Sequence, residues 1–97
     1  MIVALDEAAA ADVEEAVAWY EHREPGLGER FLAALDAVLD HIGEHPLRYR
    51  VAEGKLRRAM MPRFPYAVFY QVEPQRVMVR AVTHGRRNPR VWRERQG

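Results

Sequence analysis

Hydrophobic and polar positions recur with two different periods along the 97-residue chain. After a short apolar run at residues 2–5, apolar side chains return every three or four positions over residues 7–22 and again over about 29–42, the spacing of amphipathic helices. Pro25, Gly26 and Gly28 separate these segments, and Gly43 with Pro46 ends the second one. The pattern predicts a strand, with Asp6 capping the helix that follows, and then an antiparallel helical hairpin.

Beyond Pro46 the period falls to two, which predicts strands at residues 55–63, 66–73 and 76–83 with hairpin-length links. In the last strand, strict alternation assigns Val77, Val79 and Ala81 to one face and Met78, Arg80 and Val82 to the other. The element order is β-α-α-β-β-β. The expected fold class is α+β, with the helical hairpin packed on one face of a mainly antiparallel four-stranded sheet. Residues 1–97 are expected to form a single domain.

Composition restricts the environment of the protein. The chain has no cysteine, which excludes disulfides and thiolate metal sites and fits a reducing cytoplasm. No apolar run approaches the length of a membrane span, and the first residues lack the pattern of a secretory signal. A cytoplasmic protein without a membrane partner is therefore expected.

A net charge of only +1 conceals a strong asymmetry between the two halves of the chain. Residues 1–47 hold two basic and eleven acidic residues, a net charge of −9, whereas residues 48–97 hold thirteen basic and three acidic residues, a net charge of +10. Any one arginine is more simply explained as a solvated surface residue. The whole cluster favours a surface that binds an anionic partner, either nucleic acid or an acidic protein segment.

Other side chains that could carry chemistry give weaker signals. His84 is the only histidine of the basic half, and beside arginines it would act as a base in preference to an acid, although a structural histidine at a strand end is the simpler interpretation. His41 and His45 have the i, i+4 spacing of metal ligands but no evident third ligand, so neither a metal nor a cofactor is predicted. Trp19 and Tyr20 are predicted to pack in the core or between helices, and Trp92 to stack on a partner or pack on the sheet.

Three blocks of sequence carry a resemblance to a known family. "AVAWYEHREPGLGERFLAALDAVLDHIGEHPLRYR", "LRRAMMPRFPYAVFYQVE" and "VMVRAVTHGRRNPRVWRER" follow in order and span nearly the whole chain. The chain resembles the RelE/ParE toxin superfamily, and within it the ParE-like branch of plasmid stabilisation proteins. The resemblance implies the toxin of a type II toxin–antitoxin pair, bound by an acidic segment of its antitoxin in a hetero-oligomer.

The superfamily has two activities, which imply different roles for the basic residues. ParE-like toxins inhibit DNA gyrase, and RelE-like toxins cut mRNA on the ribosome without a metal. For the nuclease, the resemblance implies a site that contains Lys55, Arg57, Arg58, Arg87 and His84. Ala67 and Trp92 replace an arginine and a tyrosine that RelE-like enzymes often have, which favours binding over cleavage.

The sequence therefore leads to three hypotheses. The first is a gyrase inhibitor whose target or antitoxin is bound by the residues Arg63, Arg80, Arg86, Arg90, Trp92 and Arg93. The second is an mRNA endonuclease, an mRNA interferase, in which His84 removes the 2′-hydroxyl proton and the arginines stabilise the phosphorane. The third is a non-toxic module that only binds its antitoxin.

Overall fold

The computed structural model describes residues 1–85 and 89–96. Its strands are β1 (Ile2–Leu5), β2 (Val51–Glu53), β3 (Leu56–Met60), β4 (Tyr66–Val72) and β5 (Arg76–His84), and its helices are α1 (Glu7–Arg23), α2 (Leu27–Glu44) and α3 (Arg90–Arg93). The sheet order is β1-β5-β4-β3-β2, with β1 parallel to β5 and the other neighbours antiparallel. The predicted α+β fold, a helical hairpin on a mainly antiparallel sheet, is confirmed.

The prediction of four strands is wrong, because a fifth strand, β2, forms the edge beside β3. β2 has three residues and a register irregularity, which is too short for an alternating pattern to be recognised. Gly54, at φ 54°, makes the tight turn into β3. The segment between α2 and β3 therefore contributes an edge strand to the sheet.

Two side chains organise the start of each long helix. The Asp6 carboxylate accepts a hydrogen bond from the Ala9 backbone N–H at 2.8 Å, which confirms the predicted cap. No side chain of α2 itself caps that helix, and Glu21 of α1 does so instead: its carboxylate accepts from the N–H groups of Gly26 at 2.9 Å and Gly28 at 3.0 Å. A Cβ at position 28 would lie 2.9 Å from the Val17 carbonyl oxygen, so the close helix contact requires glycine there.

The main core lies between the helical hairpin and one face of the sheet. Its buried residues are Ala9, Ala16, Tyr20, Phe31, Leu35, Val38, Ile42, Ala59, Met61, Val68, Tyr70, Val77, Val79 and Val82. The hydrophobic stripe of α2 and the inward positions of β4 meet here, as their spacing predicts. We call this side of the sheet the helix face and the opposite side the far face.

A β-bulge changes the alternation of β5. Phe69 pairs with Ala81 and Tyr70 with Val79, so Arg80 is an extra residue in β5. As a result Val82 joins the main core, whereas Ala81 packs on the far face. The strict alternation expected from sequence is therefore wrong beyond Val79, because the inserted residue reverses the faces that follow it.

Candidate partner-binding surface

The far face carries a second, smaller hydrophobic cluster, built from Leu56, Ala67, Phe69 and Ala81. Trp92, on the short helix α3, packs against this cluster and stacks on Phe69 with 4.3 Å between ring centroids and 13° between ring planes. The predicted alternatives for Trp92 were stacking on a partner or packing on the sheet. The structure shows the packing on the sheet, and it thereby draws the C-terminal segment across the far face.

Two adjoining depressions flank this tryptophan. One, of about 370 Å³, is lined by Arg50, Val51, Ala52, Arg58 and Trp92. The other, of about 340 Å³, is lined by Arg58, Met60, Ala67, Phe69, Thr83, His84, Gly85, Pro89 and Trp92. They share Arg58 and Trp92, and we call them together the basic groove. No acidic side chain lines it within residues 1–85 and 89–96. Such a groove suits an extended anionic segment.

Arg57 and Arg58 are neighbours in sequence but point to opposite faces of the sheet. Arg58 faces the basic groove, whereas Arg57 lies on the helix face, where it donates hydrogen bonds to the carbonyl oxygens of Tyr49 at 2.7 Å and Leu47 at 3.3 Å. Alternation along β3 produces this separation. Arg57 therefore holds the segment between α2 and β2, and it does not share a ligand with Arg58.

Lys55 and His84, two other predicted nuclease residues, are also placed by the structure. Lys55 is exposed in the turn between β2 and β3, where its backbone N–H donates to the Gln96 side chain at 3.1 Å. His84 ends β5, with its ring edge-to-face against Tyr66 at 5.6 Å, and it borders the basic groove. Arg87, the remaining member of that set, lies outside the described residues, as does Arg86.

Arg80, predicted as a binding residue, is engaged inside the protein. Its side chain is 21% exposed, lies 3.4 Å from the Asp6 carboxylate and donates to the Arg95 carbonyl oxygen at 2.7 Å. Arg95 in turn pairs with the carboxylate of Asp12, a residue of α1 that is only 7% exposed. Arg80 of β5 thus holds the backbone of the C-terminal tail, and Arg95 of the tail binds to α1.

The remaining predicted arginines are exposed. Arg63 lies in the bend between β3 and β4 at φ 69°, the left-handed region that favours glycine. Arg90 lies 3.8 Å from Glu94, and Arg93 lies 3.0 Å from Glu53 and over the Trp92 ring at 5.5 Å. These exposed pairs are worth little free energy and leave the arginines open to exchange for a stronger anionic partner.

Sequence reasoning missed two features of the surface. Arg50 lines the basic groove through the strand β2, which the pattern did not indicate. Trp19, expected in the core or between helices, is 52% exposed, because the neighbouring Tyr20 takes the inward position on α1. The helical period does carry this signal, because Ala9, Ala16 and Tyr20 fall on one stripe of α1 and Trp19 lies beside it.

Two histidines near the C-terminal end of α2 have the i, i+4 spacing of metal ligands. His41 and His45 have ring centroids 5.0 Å apart, but the Nδ1 of His41 lies 2.5 Å from the Tyr49 hydroxyl. Within the described parts of the chain, no group of three or more His, Asp or Glu side chains is arranged to hold a metal. In the same residues, no helix is both long and apolar enough to cross a bilayer.

The fold and the known families define what class of protein this is. One solved structure, described as the chromosomal ParDE TA system from P. aeruginosa, superposes with a TM-score of 0.77 at 12% identity, over 87% of this chain and 95% of the other. That likeness identifies the fold. The family model for the ParE toxin of the type II toxin–antitoxin system parDE matches residues 3–89. The chain belongs to this ParE toxin family. No curated protein matches it in sequence.

Proposed function

We propose that this protein is an active ParE-like toxin that binds and inhibits DNA gyrase and is neutralised by an acidic antitoxin in a hetero-oligomeric complex. The basic groove is the proposed contact for an anionic or polar segment of the target. Arg58 and Arg50, which line it together with Trp92, are the residues we expect to contribute most to binding. The protein performs no covalent chemistry in this proposal.

The predicted nuclease residues are divided between the two faces of the sheet, and this observation favours binding over RNA cleavage. RNA cleavage through the 2′-hydroxyl needs a base and several cations within reach of one phosphate. Arg57 is instead bonded to the Leu47 and Tyr49 carbonyl oxygens on the helix face, while Arg58 faces the basic groove. Only Arg58 and His84 of the described candidates border the same depression. Such an arrangement supports binding over catalysis.

The charge distribution supports an acidic antitoxin. Arg50 and Arg58, which belong to the basic half of the chain, line the basic groove on the far face, on the side of the sheet away from the acidic helical hairpin. An acidic segment approaching the far face meets arginines without crossing the acidic layer. Long-range attraction of this kind raises association rates and weakens as salt is added.

The decisive experiment measures DNA supercoiling and DNA cleavage by purified gyrase at rising concentrations of toxin. We expect inhibition of supercoiling by the parent protein, and at least a tenfold higher half-inhibitory concentration for the Arg50→Ala/Arg58→Ala variant. Arg48→Ala is the matched control, because Arg48 is exposed in the same region but does not line the basic groove. Unchanged gyrase activity at saturating parent toxin would rule the proposal out.

A pulse-labelling experiment after tightly controlled induction separates the two candidate activities in cells. If gyrase is the target, thymidine incorporation falls before methionine incorporation. If methionine incorporation stops first, translation is the target, and the test moves to mRNA cleavage on ribosomes by parent and His84→Ala toxins.

A further inference from the structure

The bend between β3 and β4 carries an arginine in an unfavourable backbone conformation. Arg63 has φ 69°, and within residues 1–85 and 89–96 it is the only residue other than glycine with a positive φ. That region is sterically unfavourable for most residues with a Cβ, whereas glycine, asparagine and aspartate adopt it more easily. Backbone strain that a fold retains at one exposed position is a reason to look for a function there.

Packing on both sides of Arg63 fixes the bend. The next residue, Phe64, packs its ring edge-to-face on Phe31 of the main core, with 5.3 Å between the ring centroids. Pro65 restricts Phe64 to an extended backbone, and the Pro65 carbonyl oxygen accepts a hydrogen bond from the Gly85 N–H at 2.7 Å. The bend is therefore anchored to the core and to the end of β5, and it holds Arg63 at the surface, where it is exposed.

The bend lies at one end of the basic groove. Met60, the last residue of β3, and Gly85, which is bonded to the bend, both line the groove, and Arg50 and Arg58 line its part nearer to β2. Among the residues that the structure describes, the side chains of Arg50, Arg58 and Arg63 form no ion pair. Three unpaired cations therefore follow one another from β2 along the groove to the bend.

Apolar side chains lie among these cations. Val51 and Met60 line the groove and are 48% and 51% exposed, and Trp92 lines both of its depressions. A nucleic-acid backbone would meet the arginines and leave this apolar surface in water. A protein segment that contains both acidic and apolar residues would cover both kinds of surface, so the lining of the groove favours a protein segment.

We propose that Arg63 is the terminal anion-binding residue of the basic groove, and that the groove binds an extended segment of the target that carries both carboxylates and apolar side chains. This inference deepens the proposed function and rests on it. A carboxylate of that segment pairs with Arg63, and because the anchored bend fixes the position of the arginine backbone, less freedom is lost on binding. The fold itself does not require an arginine here, since asparagine or glycine would suit the bend better.

Stability and binding should change in opposite directions when Arg63 is replaced. Arg63→Asn removes the charge and relieves the backbone strain, so we expect the Tm to rise by about 4 °C. Arg48→Asn is the matched control, because Arg48 is exposed, has no positive φ and does not line the groove, and its Tm should not rise. A Tm of Arg63→Asn below that of the parent would show that the arginine stabilises the bend, and it would overturn the argument from strain.

Fluorescence anisotropy at low salt measures the binding of full-length toxin to a short fluorescein-labelled peptide of alternating glutamate and leucine residues. We expect Arg63→Asn to weaken binding about fivefold, and Arg63→Lys, which keeps the charge, to stay within about twofold of the parent. Arg48→Asn should bind like the parent, and the same peptide with glutamine in place of glutamate should not bind. Parental affinity for Arg63→Asn, or no binding of the peptide to the parent, overturns the inference. Tighter binding of a short DNA duplex than of the peptide overturns the assignment of a protein segment.

Gyrase inhibition separates failure of this inference from failure of the proposed function. We expect the half-inhibitory concentration for supercoiling to rise about fivefold for Arg63→Asn and to stay at the parental value for Arg48→Asn. If Arg63→Asn inhibits gyrase like the parent, Arg63 does not contact the target and the inference is wrong. If the parent toxin leaves supercoiling unchanged while Arg63→Asn still weakens peptide binding, the proposed function has failed, and the groove with Arg63 binds an acidic segment of a different target.

Discussion

The attachment of the tail to α1 leads to the strongest stability prediction. Asp12 is 7% exposed, and its carboxylate accepts the Val82 backbone N–H at 2.9 Å and pairs with the Arg95 guanidinium, whose second nitrogen lies 3.2 Å from the other carboxylate oxygen. Val82 lies on β5 beyond the residues that pair with β1, so Asp12 satisfies a backbone donor that has no strand neighbour on that side. The perturbation is Asp12→Ala.

The magnitude follows from two separate losses. A buried backbone N–H left without an acceptor costs about 1–3 kcal/mol. Removing one partner of a fully buried ion pair costs about 3–5 kcal/mol. Because the Arg95 side chain is 23% exposed, water can solvate the guanidinium that is left unpaired, and the loss of this ion pair costs less than that. We expect a total loss of about 3 kcal/mol, and because each kcal/mol shifts the Tm of a domain this size by about 4–8 °C, a fall in Tm of roughly 12–24 °C.

Urea unfolding followed by circular dichroism measures the loss directly. Asp12→Asn keeps an oxygen that can accept from Val82 and loses only the charge, so we expect it to cost about half as much as Asp12→Ala. Glu14→Ala, an exposed change on the same helix, is the control and should stay within about 0.5 kcal/mol of the parent. If Asp12→Ala unfolds at the same urea concentration as Glu14→Ala, the argument for a buried attachment of the tail is refuted.

Three further predictions concern the hairpin, the core and the two arginines of β3. Glu21→Ala removes the cap that α1 supplies to α2 and should lower the free energy of unfolding by about 1 kcal/mol in urea, against almost no change for Glu14→Ala. Burial raises the pKa of Tyr70 to about 12, against a positive charge on Arg57 that lowers it and a smaller effect of Tyr49 that raises it. Because the unfolded chain loses this proton near pH 10 and the folded chain only near 12, the stabilisation is complete below pH 10. As pH rises through 12, the parent loses up to about 3 kcal/mol of this free energy of unfolding. The difference in melting temperature between the parent and Tyr70→Phe should therefore narrow above pH 10. Arg57→Ala should lower stability by about 1–2 kcal/mol because two backbone carbonyl oxygens lose a charged donor, whereas Arg58→Ala should melt like the parent and bind gyrase more weakly. Equal melting temperatures for Arg57→Ala and Arg58→Ala would contradict the assignment of the two arginines to opposite faces.

The sequence alone determined the architecture and the family. The 3.6-residue period of α2, the Asp6 cap and the two-residue period of β4 depend only on neighbours within one element, so the pattern reports them directly. The charge asymmetry also follows from residue order, because the acidic half forms the hairpin and the basic half forms most of the sheet and the tail.

Only the tertiary structure decided how the surface is organised. The bulge at Arg80 exchanged the faces of the sheet on which Ala81 and Val82 lie. The hydrophobic pattern of β5 does not show that one residue is inserted there. Arg57 and Arg58 look equivalent in sequence, yet the first is held by backbone oxygens from a distant loop. The role of an ionisable side chain depends on the groups that the fold brings to it from elsewhere in the chain, and local sequence does not contain those groups.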